Sequence, residues 1–198
     1  MTYLDVLSRV ADLQSMIQQA TASTPRAASA APSATSFADL LSATTAASTA
    51  APVTGTSTTA GLGALRAAES QVGQAEQPPG SNDGPAIATY RSAVEGAYPG
   101  APWCAYFVSW CAAQAGAPIG DRGQGLGSVA EIADWARRTG RLVSQPQPGD
   151  LILFGTEHVG IVETVNPDGS LVTVEGNASD AVSREVHEPG EATGFVRL

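Results

Sequence analysis

Four residues in the second half of the chain carry the side chains that nucleophilic catalysis needs: Cys104, His158, Glu175 and Asn177. A thiol attacks a carbonyl carbon well when a neighbouring imidazole takes its proton. A carboxylate or an amide can then hold the imidazole ring in position. These residue types predict acyl transfer through a thioester, provided that the fold brings the four side chains together.

A predicted β-hairpin sets the register of the two strands that carry the histidine and the carboxylate. Residues 166–169, Asn-Pro-Asp-Gly, are typical of a four-residue turn with proline at its second position. Runs with strand character precede and follow this turn. Val165 is therefore expected to pair with Ser170, so that the numbers of opposed residues sum to 335.

This register predicts that the histidine, the carboxylate and the amide share one face of the sheet. His158 would oppose Asn177, Gly160 would oppose Glu175, and alternate residues of a strand point to the same side. Opposed side chains lie about 5 Å apart, and diagonal ones about 7–8 Å apart. Because Gly160 has no side chain, it would leave room for the carboxylate.

The candidate nucleophile lies at the predicted start of an apolar helix, expected over about 103–115. The helix dipole and a nearby imidazolium both favour a thiolate at Cys104. The unpaired backbone N–H of Cys104 could stabilise an oxyanion. Cys111 is expected to be a free thiol in the core, because about 10 Å along the helix axis separates it from Cys104. His187 has no evident partner and is expected to be exposed.

The order of the elements predicts an α+β fold for residues 61–198, with helices first and a small antiparallel sheet after them. Strands are expected at 151–154, 158–165, 171–175 and 194–197. Ser128 and Glu131 have the spacing of a capping box, which predicts a helix start. The glycine-rich stretch 116–127 lacks the Gly-Lys-Ser/Thr ending of a phosphate-binding loop and is interpreted as a surface loop.

The first sixty residues differ in character from the rest. Residues 1–20 carry apolar side chains at spacings of three and four, which predicts an amphipathic helix. That helix either docks on another surface or frays, because a lone helix of this length is marginal in water. Residues 21–60, rich in Ala, Ser and Thr, are typical of a flexible linker, interrupted by the apolar patch at 37–41.

Charge and hydropathy limit the partners and the location of the protein. The net charge of −9 and the absence of lysine argue against binding to nucleic acid and against non-specific adhesion to anionic surfaces. No apolar run is long enough to span a membrane, and no signal peptide is recognised. We therefore expect the bacterial cell envelope or the exterior, reached by a non-Sec route, or otherwise the cytoplasm.

Four sequence stretches, taken together and in this order, resemble the CHAP family (cysteine, histidine-dependent amidohydrolase/peptidase). They are Pro-Trp-Cys-Ala-Tyr-Phe-Val-Ser-Trp-Cys, Gln-Pro-Gly-Asp-Leu-Ile-Leu-Phe, His-Val-Gly-Ile-Val-Glu and Val-Glu-Gly-Asn-Ala-Ser. The resemblance covers roughly residues 61–198. It implies a papain-like α+β fold and peptidoglycan as the substrate. Members act as N-acetylmuramoyl-L-alanine amidases or as endopeptidases within stem peptides and cross-bridges.

The resemblance also implies roles for the four candidate residues. By match to the family's motifs, Cys104 is the nucleophile, His158 the base, Glu175 the orienting carboxylate and Asn177 an accessory polar residue. Some relatives bind calcium near the cysteine. Because this chain has no dense acidic loop, no metal and no cofactor are expected.

Three further residues are candidates for contacting the substrate. Ser-Asn-Asp-Gly at 81–84 resembles a loop that many members carry before the cysteine helix, which singles out Asn82 and Asp83. Trp103 is the third candidate, with core packing as its alternative role.

The N-terminal part resembles the front ends of some actinobacterial hydrolases associated with flagellar assembly. That likeness implies an export or docking partner for residues 1–20 and 37–41. Two other functions stay open at this point. One is a catalytically inactive wall-binding or assembly scaffold, and the other is an amidase that acts on a different peptide-like substrate.

Overall fold

The computed structural model describes residues 56–198, so the predictions for residues 1–20, the patch at 37–41 and most of the linker lie outside the described part of the chain. Within it, four helices precede six strands, and this order confirms the α+β class. The helices are α1 (Thr59–Glu69), α2 (Pro85–Arg91), α3 (Cys104–Gln114) and α4 (Val129–Arg138). The strands are β1 (Leu142–Val143), β2 (Leu151–Phe154), β3 (His158–Val165), β4 (Leu171–Ala178), β5 (Ala181–His187) and β6 (Gly194–Val196).

The strands form one antiparallel sheet in the order β1-β6-β2-β3-β4-β5. Helices α1 and α3 pack on each other and on β3 and β4. The side chains of β2 alternate between the two faces of the sheet. Leu151 and Leu153 pack in the main core with the helices. Ile152 belongs to a second, smaller cluster with Val162 and Leu171. The sheet is therefore covered on both faces along its centre.

Local signals set the helix starts. Thr58 caps α1 by accepting a hydrogen bond from the N–H of Gly61, so this helix begins two residues before the predicted start of the folded domain at residue 61. Pro85 is the first residue of α2, as its fixed φ favours. The capping box predicted for Ser128 and Glu131 is present at the start of α4.

An aromatic cluster anchors α3 between α2 and the sheet. The ring of Tyr90 lies 5.7 Å from that of Trp103, 5.1 Å from that of Phe107 and 5.2 Å from that of Trp110. The Tyr90 hydroxyl donates a hydrogen bond to Gln71 at the end of α1. Burial raises the pKa of Tyr90 far above its ordinary range, so the hydroxyl stays a donor. The start of α3 is thus held by rigid packing.

The β3–β4 hairpin has a different turn from the predicted one but nearly the predicted register. Val165 pairs with Leu171, so the predicted pairing of Val165 with Ser170 was wrong. Ser170 belongs to the loop, where its carbonyl accepts the N–H of Asn166. A β-bulge between Val162 and Thr164 then shifts the register back by one residue.

Beyond the bulge, Gly160 lies opposite Glu175, so this part of the prediction is confirmed. The two deviations cancel because the longer loop and the bulged residue each displace the pairing by one position, in opposite directions. The hairpin therefore keeps the histidine and the carboxylate on one face of the sheet.

Strands β1 and β5 were not predicted, and β4 extends to Ala178, beyond the predicted end at 175. A two-residue turn joins β4 to β5, and Ser179 and Asp180 have φ values of 51° and 63°. Two successive positive φ values are typical of a type I′ turn, which usually carries Asn-Gly or Asp-Gly. Ser-Asp is a weak signal for it. Strand β5 is also half exposed and polar, so its hydrophobic pattern is faint.

None of the helices in residues 56–198 combines the length and the apolar character needed to cross a membrane.

Gly176 lets β4 approach α3 closely. A Cβ atom at this position would lie 2.6 Å from the Cβ of Phe107, closer than packed carbon atoms approach. Gly176→Ala should therefore lower the free energy of unfolding by roughly 1–3 kcal/mol, as overpacking of a core does, measured by urea denaturation.

Gly194→Ala is the matched control for this substitution. A Cβ at Gly194 would meet its nearest neighbour, the Cδ1 of Leu153, at 4.0 Å, so the change should stay within about 0.5 kcal/mol. Equal losses in the two variants would contradict the close packing of β4 on α3.

Candidate active site

Cys104 is the first residue of α3, as predicted. Trp103 occupies the N-cap position, and its side chain makes no capping hydrogen bond. The N–H of Cys104 therefore lies in the first turn, where amides have no partner within the helix, and no residue of 56–198 accepts it. The thiol is buried but borders an open groove. This is the position in which a helix N-terminus stabilises negative charge.

Trp103 packs in the core, the alternative role given for it, and does not line the groove as a substrate contact would. Its side chain is fully buried, and its Nε1–H donates a 2.9 Å hydrogen bond to Glu76. Glu76 is itself buried and accepts the backbone N–H of Asn82 with its second oxygen. Glu76, which the sequence analysis did not single out, thus ties the 77–84 loop to the residue before the nucleophile.

The predicted substrate contacts at Asn82 and Asp83 are likewise not found at the groove, since neither residue lines it. Asn82 has a φ of 51° and uses its backbone N–H to bind Glu76. Asp83 accepts the N–H of Gly84 and pairs with Arg91 at 3.0 Å, and these bonds hold its pKa below the usual range. Both residues shape the loop instead of facing the groove.

The sheet brings His158 and Glu175 into direct contact. The Nε2 atom of His158 lies 2.7 Å from Oε2 of Glu175. Opposite the carboxylate, a Cβ at Gly160 would lie 2.7 Å from Cγ of Glu175, which confirms that Gly160 provides the space. With Nε2 engaged, Nδ1 is the ring nitrogen left for Cys104.

His158 interacts with Cys104 as well as with Glu175. Burial disfavours the imidazolium, but hydrogen bonding and charge interactions with Cys104 and Glu175 outweigh burial and raise the pKa of His158 from 6.5 to about 10. The ring stays accessible, with 27% of its side chain exposed. The imidazolium form at neutral pH suits a thiolate partner.

Glu175 is buried and satisfied on both oxygens. Its residue is 2% exposed, and while Oε2 contacts His158, Oε1 accepts the hydroxyl of Thr173 at 2.7 Å. Burial alone would raise the pKa of this carboxyl, but the bonds from His158, Thr173 and His187 lower it below the ordinary value. The carboxylate is therefore ionised and held in one orientation.

The expectation that His187 is exposed and without a partner was wrong. Its Nε2 lies 2.7 Å from Oε1 of Glu175 and its Nδ1 lies 3.0 Å from Oε2 of Glu191. Only 17% of its side chain is exposed. The error follows from the missed strand, because β5 is the element that places His187 on the same face as Glu175.

Asn177 is not brought into this set as the register predicted. The pairing between β3 and β4 ends at Gly160 and Glu175, and Asn177 has a φ of 61°, which breaks the alternation of side chains. Its amide makes no hydrogen bond to another described residue. An accessory role for Asn177 stays a prediction.

Cys111 lies fully buried on the inner side of α3. Burial raises its pKa well above the ordinary value, so this thiol stays protonated and packs as core. Within residues 56–198, no group of three or more His, Cys, Asp or Glu side chains is arranged to hold a metal ion.

A groove of about 660 Å³ runs past the thiol. Its floor and walls come from Cys104 at the start of α3, the 94–98 loop, the 124–129 loop, and Thr156 and Glu157 just before His158. Three glutamates line it and, within the described part of the chain, no basic residue does. The space beside the thiol is therefore open and lined by acidic side chains.

The raised pKa of His158 predicts the pH at which this residue titrates and the way in which the stability of the fold depends on pH. In histidine-labelled protein, His158 should titrate near pH 10. Because the folded pKa exceeds the unfolded one, the associated stability is fully present below pH 6.5 and is lost as the pH rises through about 10.

Cys104→Ala tests the cause of this shift. The substitution removes the first of the interactions that raise the pKa of His158, so the NMR titration midpoint should fall toward 6.5 and the stability should decline less with rising pH. A midpoint that is the same in both proteins would contradict the interaction of the thiol with the imidazole.

The chain is similar to a known protein family and to a solved structure. Residues 96–177 match the CHAP domain, a shorter range than the motifs indicated, and no curated protein matches the chain. Among solved structures, the chain is similar to RipD from Mycobacterium tuberculosis, described as a non-catalytic NlpC/p60 domain protein with an adaptation to peptidoglycan-binding function. The two share 19% identity with a TM-score of 0.44, over 70% of this chain and 97% of that chain. The matched range 96–177 contains Cys104, His158 and Glu175, and this match confirms the resemblance to the CHAP family that the sequence motifs indicated.

Proposed function

We propose that this protein is a cysteine-dependent peptidoglycan hydrolase that cleaves an amide bond, either as an N-acetylmuramoyl-L-alanine amidase or as an endopeptidase of stem peptides or cross-bridges. The observation that carries the proposal is the 2.7 Å contact of His158 with the buried carboxylate of Glu175, on an imidazole whose pKa is also raised by Cys104. A purely structural histidine would not need a thiol on one side and an ionised, buried carboxylate on the other.

Acylation begins with the thiolate of Cys104. The sulfur attacks the amide carbonyl carbon and a C–S bond forms, which places a negative charge on the carbonyl oxygen. The free N–H of Cys104 at the start of α3 is positioned to donate to that oxyanion. The imidazolium of His158 gives its proton to the leaving nitrogen, the C–N bond breaks, and a thioester remains on the enzyme.

Deacylation uses the same residues in the opposite direction. Neutral His158 takes a proton from water while the water oxygen attacks the thioester carbonyl, and the C–S bond breaks to release a carboxylic acid and the thiolate. Glu175 keeps the ring oriented through Nε2 in both steps. Each turnover therefore restores the imidazolium and the thiolate without a cofactor.

The groove supports a substrate that carries amino groups. The three lining carboxylates are those of Glu95, Glu131 and Glu157, and the whole chain has a net charge of −9. Such a surface disfavours phosphate-rich polymers and favours cationic groups at short range. Stem peptides with a free amine are extended, narrow substrates of this kind.

We place the activity in the bacterial cell envelope or outside the cell. Under this proposal, residues 1–20 and 37–41 dock to an export or flagellar-assembly partner. Both segments lie outside the described part of the chain, so the proposal for them rests on their sequence pattern.

Digestion of purified cell walls tests the catalytic proposal. The wild-type protein should release new amino groups, and mass spectrometry of the soluble muropeptides should identify the cleaved bond. Cys104→Ala should lower the rate by roughly a thousandfold or more, because removal of a nucleophile eliminates the covalent route, while the folded structure persists.

Cys111→Ala is the matched control, since it removes a thiol from the same helix on its buried side. It should keep the activity and lose only stability. Wall binding without release of amines would instead identify an inactive wall-binding scaffold. Turnover of small peptides with no action on walls would identify an amidase for another peptide-like substrate. Cleavage by Cys104→Ala at the wild-type rate would refute the mechanism.

A further inference from the structure

The second histidine of the chain, His187, lies in the site without a role in the chemistry described above. It reaches the oxygen of Glu175 that faces away from His158. We propose that His187 is a positioning residue for the Cys104–His158 pair. By donating a hydrogen bond from Nε2 to Oε1 of Glu175, it holds the carboxylate so that Oε2 stays on His158. The inference rests on the proposed function for its catalytic meaning.

The arrangement is a carboxylate shared by two imidazoles. Both contacts, from Nε2 of His158 to Oε2 and from Nε2 of His187 to Oε1, measure 2.7 Å. An ionised carboxylate only accepts hydrogen bonds, so each imidazole must present an N–H to it. The tautomer of His158 that donates from Nε2 leaves Nδ1 to exchange a proton with the thiol.

The neighbours of His187 hold its ring in one orientation. The ring of Phe154 lies 4.4 Å from that of His187 and 6.0 Å from that of His158. The other ring nitrogen of His187, Nδ1, lies 3.0 Å from Oε2 of Glu191. A rotation of the imidazole would therefore break both contacts at once.

The hydrogen bonds to Oε1 also restrict the conformations of the Glu175 side chain. A glutamate side chain has three rotatable bonds and, without partners on Oε1, could rotate Oε2 away from His158. Thr173 donates to the same oxygen, at 2.7 Å. Thr173 lies on the same strand as Glu175, so it holds the carboxylate only from within β4. His187 holds it from the adjacent strand β5.

Removal of His187 should lower catalysis without weakening substrate binding. His187→Ala should reduce kcat by about tenfold, the lower end of the loss seen when the outer partner of a metal-bound imidazole is removed, and should leave KM unchanged. The alkylation rate of Cys104 by iodoacetamide at neutral pH should fall in parallel. His187→Gln should restore most of both rates, because the Gln side-chain amide can donate from near the position of Nε2.

Val186→Ala is the matched control, because Val186 precedes His187 on the same strand and is 68% exposed. It should change none of these rates. A purely structural role for His187 would lower the stability of His187→Ala without lowering the kcat or the alkylation rate of its folded fraction, and that result would overturn the proposal.

NMR of the full-length protein gives a readout that does not depend on the stability of His187→Ala. The chain has two histidines, so a sample labelled with ¹⁵N-histidine shows two imidazoles, assigned with His187→Gln. The proposal requires a slowly exchanging proton on Nε2 of both rings and a shifted His158 signal when His187 is replaced. Absence of the proton on Nε2 of His187 would overturn it.

The alkylation and NMR measurements also separate this inference from the proposed function. If His187→Ala slows alkylation and shifts the His158 signal, while the wild-type protein cleaves no wall, the hydrolase proposal fails and the positioning role stands. If walls are cleaved at equal rates by the wild type and His187→Ala, the positioning role fails and the hydrolase proposal stands.

Discussion

The buried carboxylate of Glu175 is the constraint to which the rest of the site conforms. An ionised group that is 2% exposed must be neutralised and fully hydrogen-bonded, because the desolvation of an unpaired charge costs several kcal/mol. Strand β3 supplies His158 together with the open space at Gly160, β4 supplies Thr173, and β5 supplies His187. Three neighbouring strands therefore have to be in register before this carboxylate can be buried.

The start of α3, which carries the nucleophile, is fixed by contacts with several distant segments of the chain. Helix α3 begins in the middle of an aromatic cluster around Tyr90, and Glu76 binds the indole of Trp103 immediately before the thiol. Gly176 lets β4 approach Phe107 closely, one residue away from Glu175. The packing that fixes the start of α3 and the hydrogen bonding that fixes the imidazole thus meet at one point on β4, which couples the geometry of Cys104 to that of the carboxylate.

Local signals were enough to predict a helix start next to Cys104 and the capping box of α4, since each depends on a few consecutive residues. The approach of Glu175 to His158 followed instead from the predicted register of the β3–β4 hairpin. The register prediction succeeded at Gly160 for a partly wrong reason, because the loop was one residue longer and a bulge compensated for it. Asn177 shows the limit of alternation. A residue with a positive φ no longer follows the period of two, and single-sequence patterns do not report φ.

The sequence by itself determined the chemistry that is available: two thiols, two imidazoles and a helix start at one of the cysteines. It also determined the α+β class, because helical and strand periodicities occupy separate parts of the domain. Only the tertiary structure decided that His187 joins the site and that Trp103 belongs to the core. Those roles come from contacts between distant segments, namely β5 with β4 and the 77–84 loop with α3, and nothing in the local pattern of either segment encodes its partner.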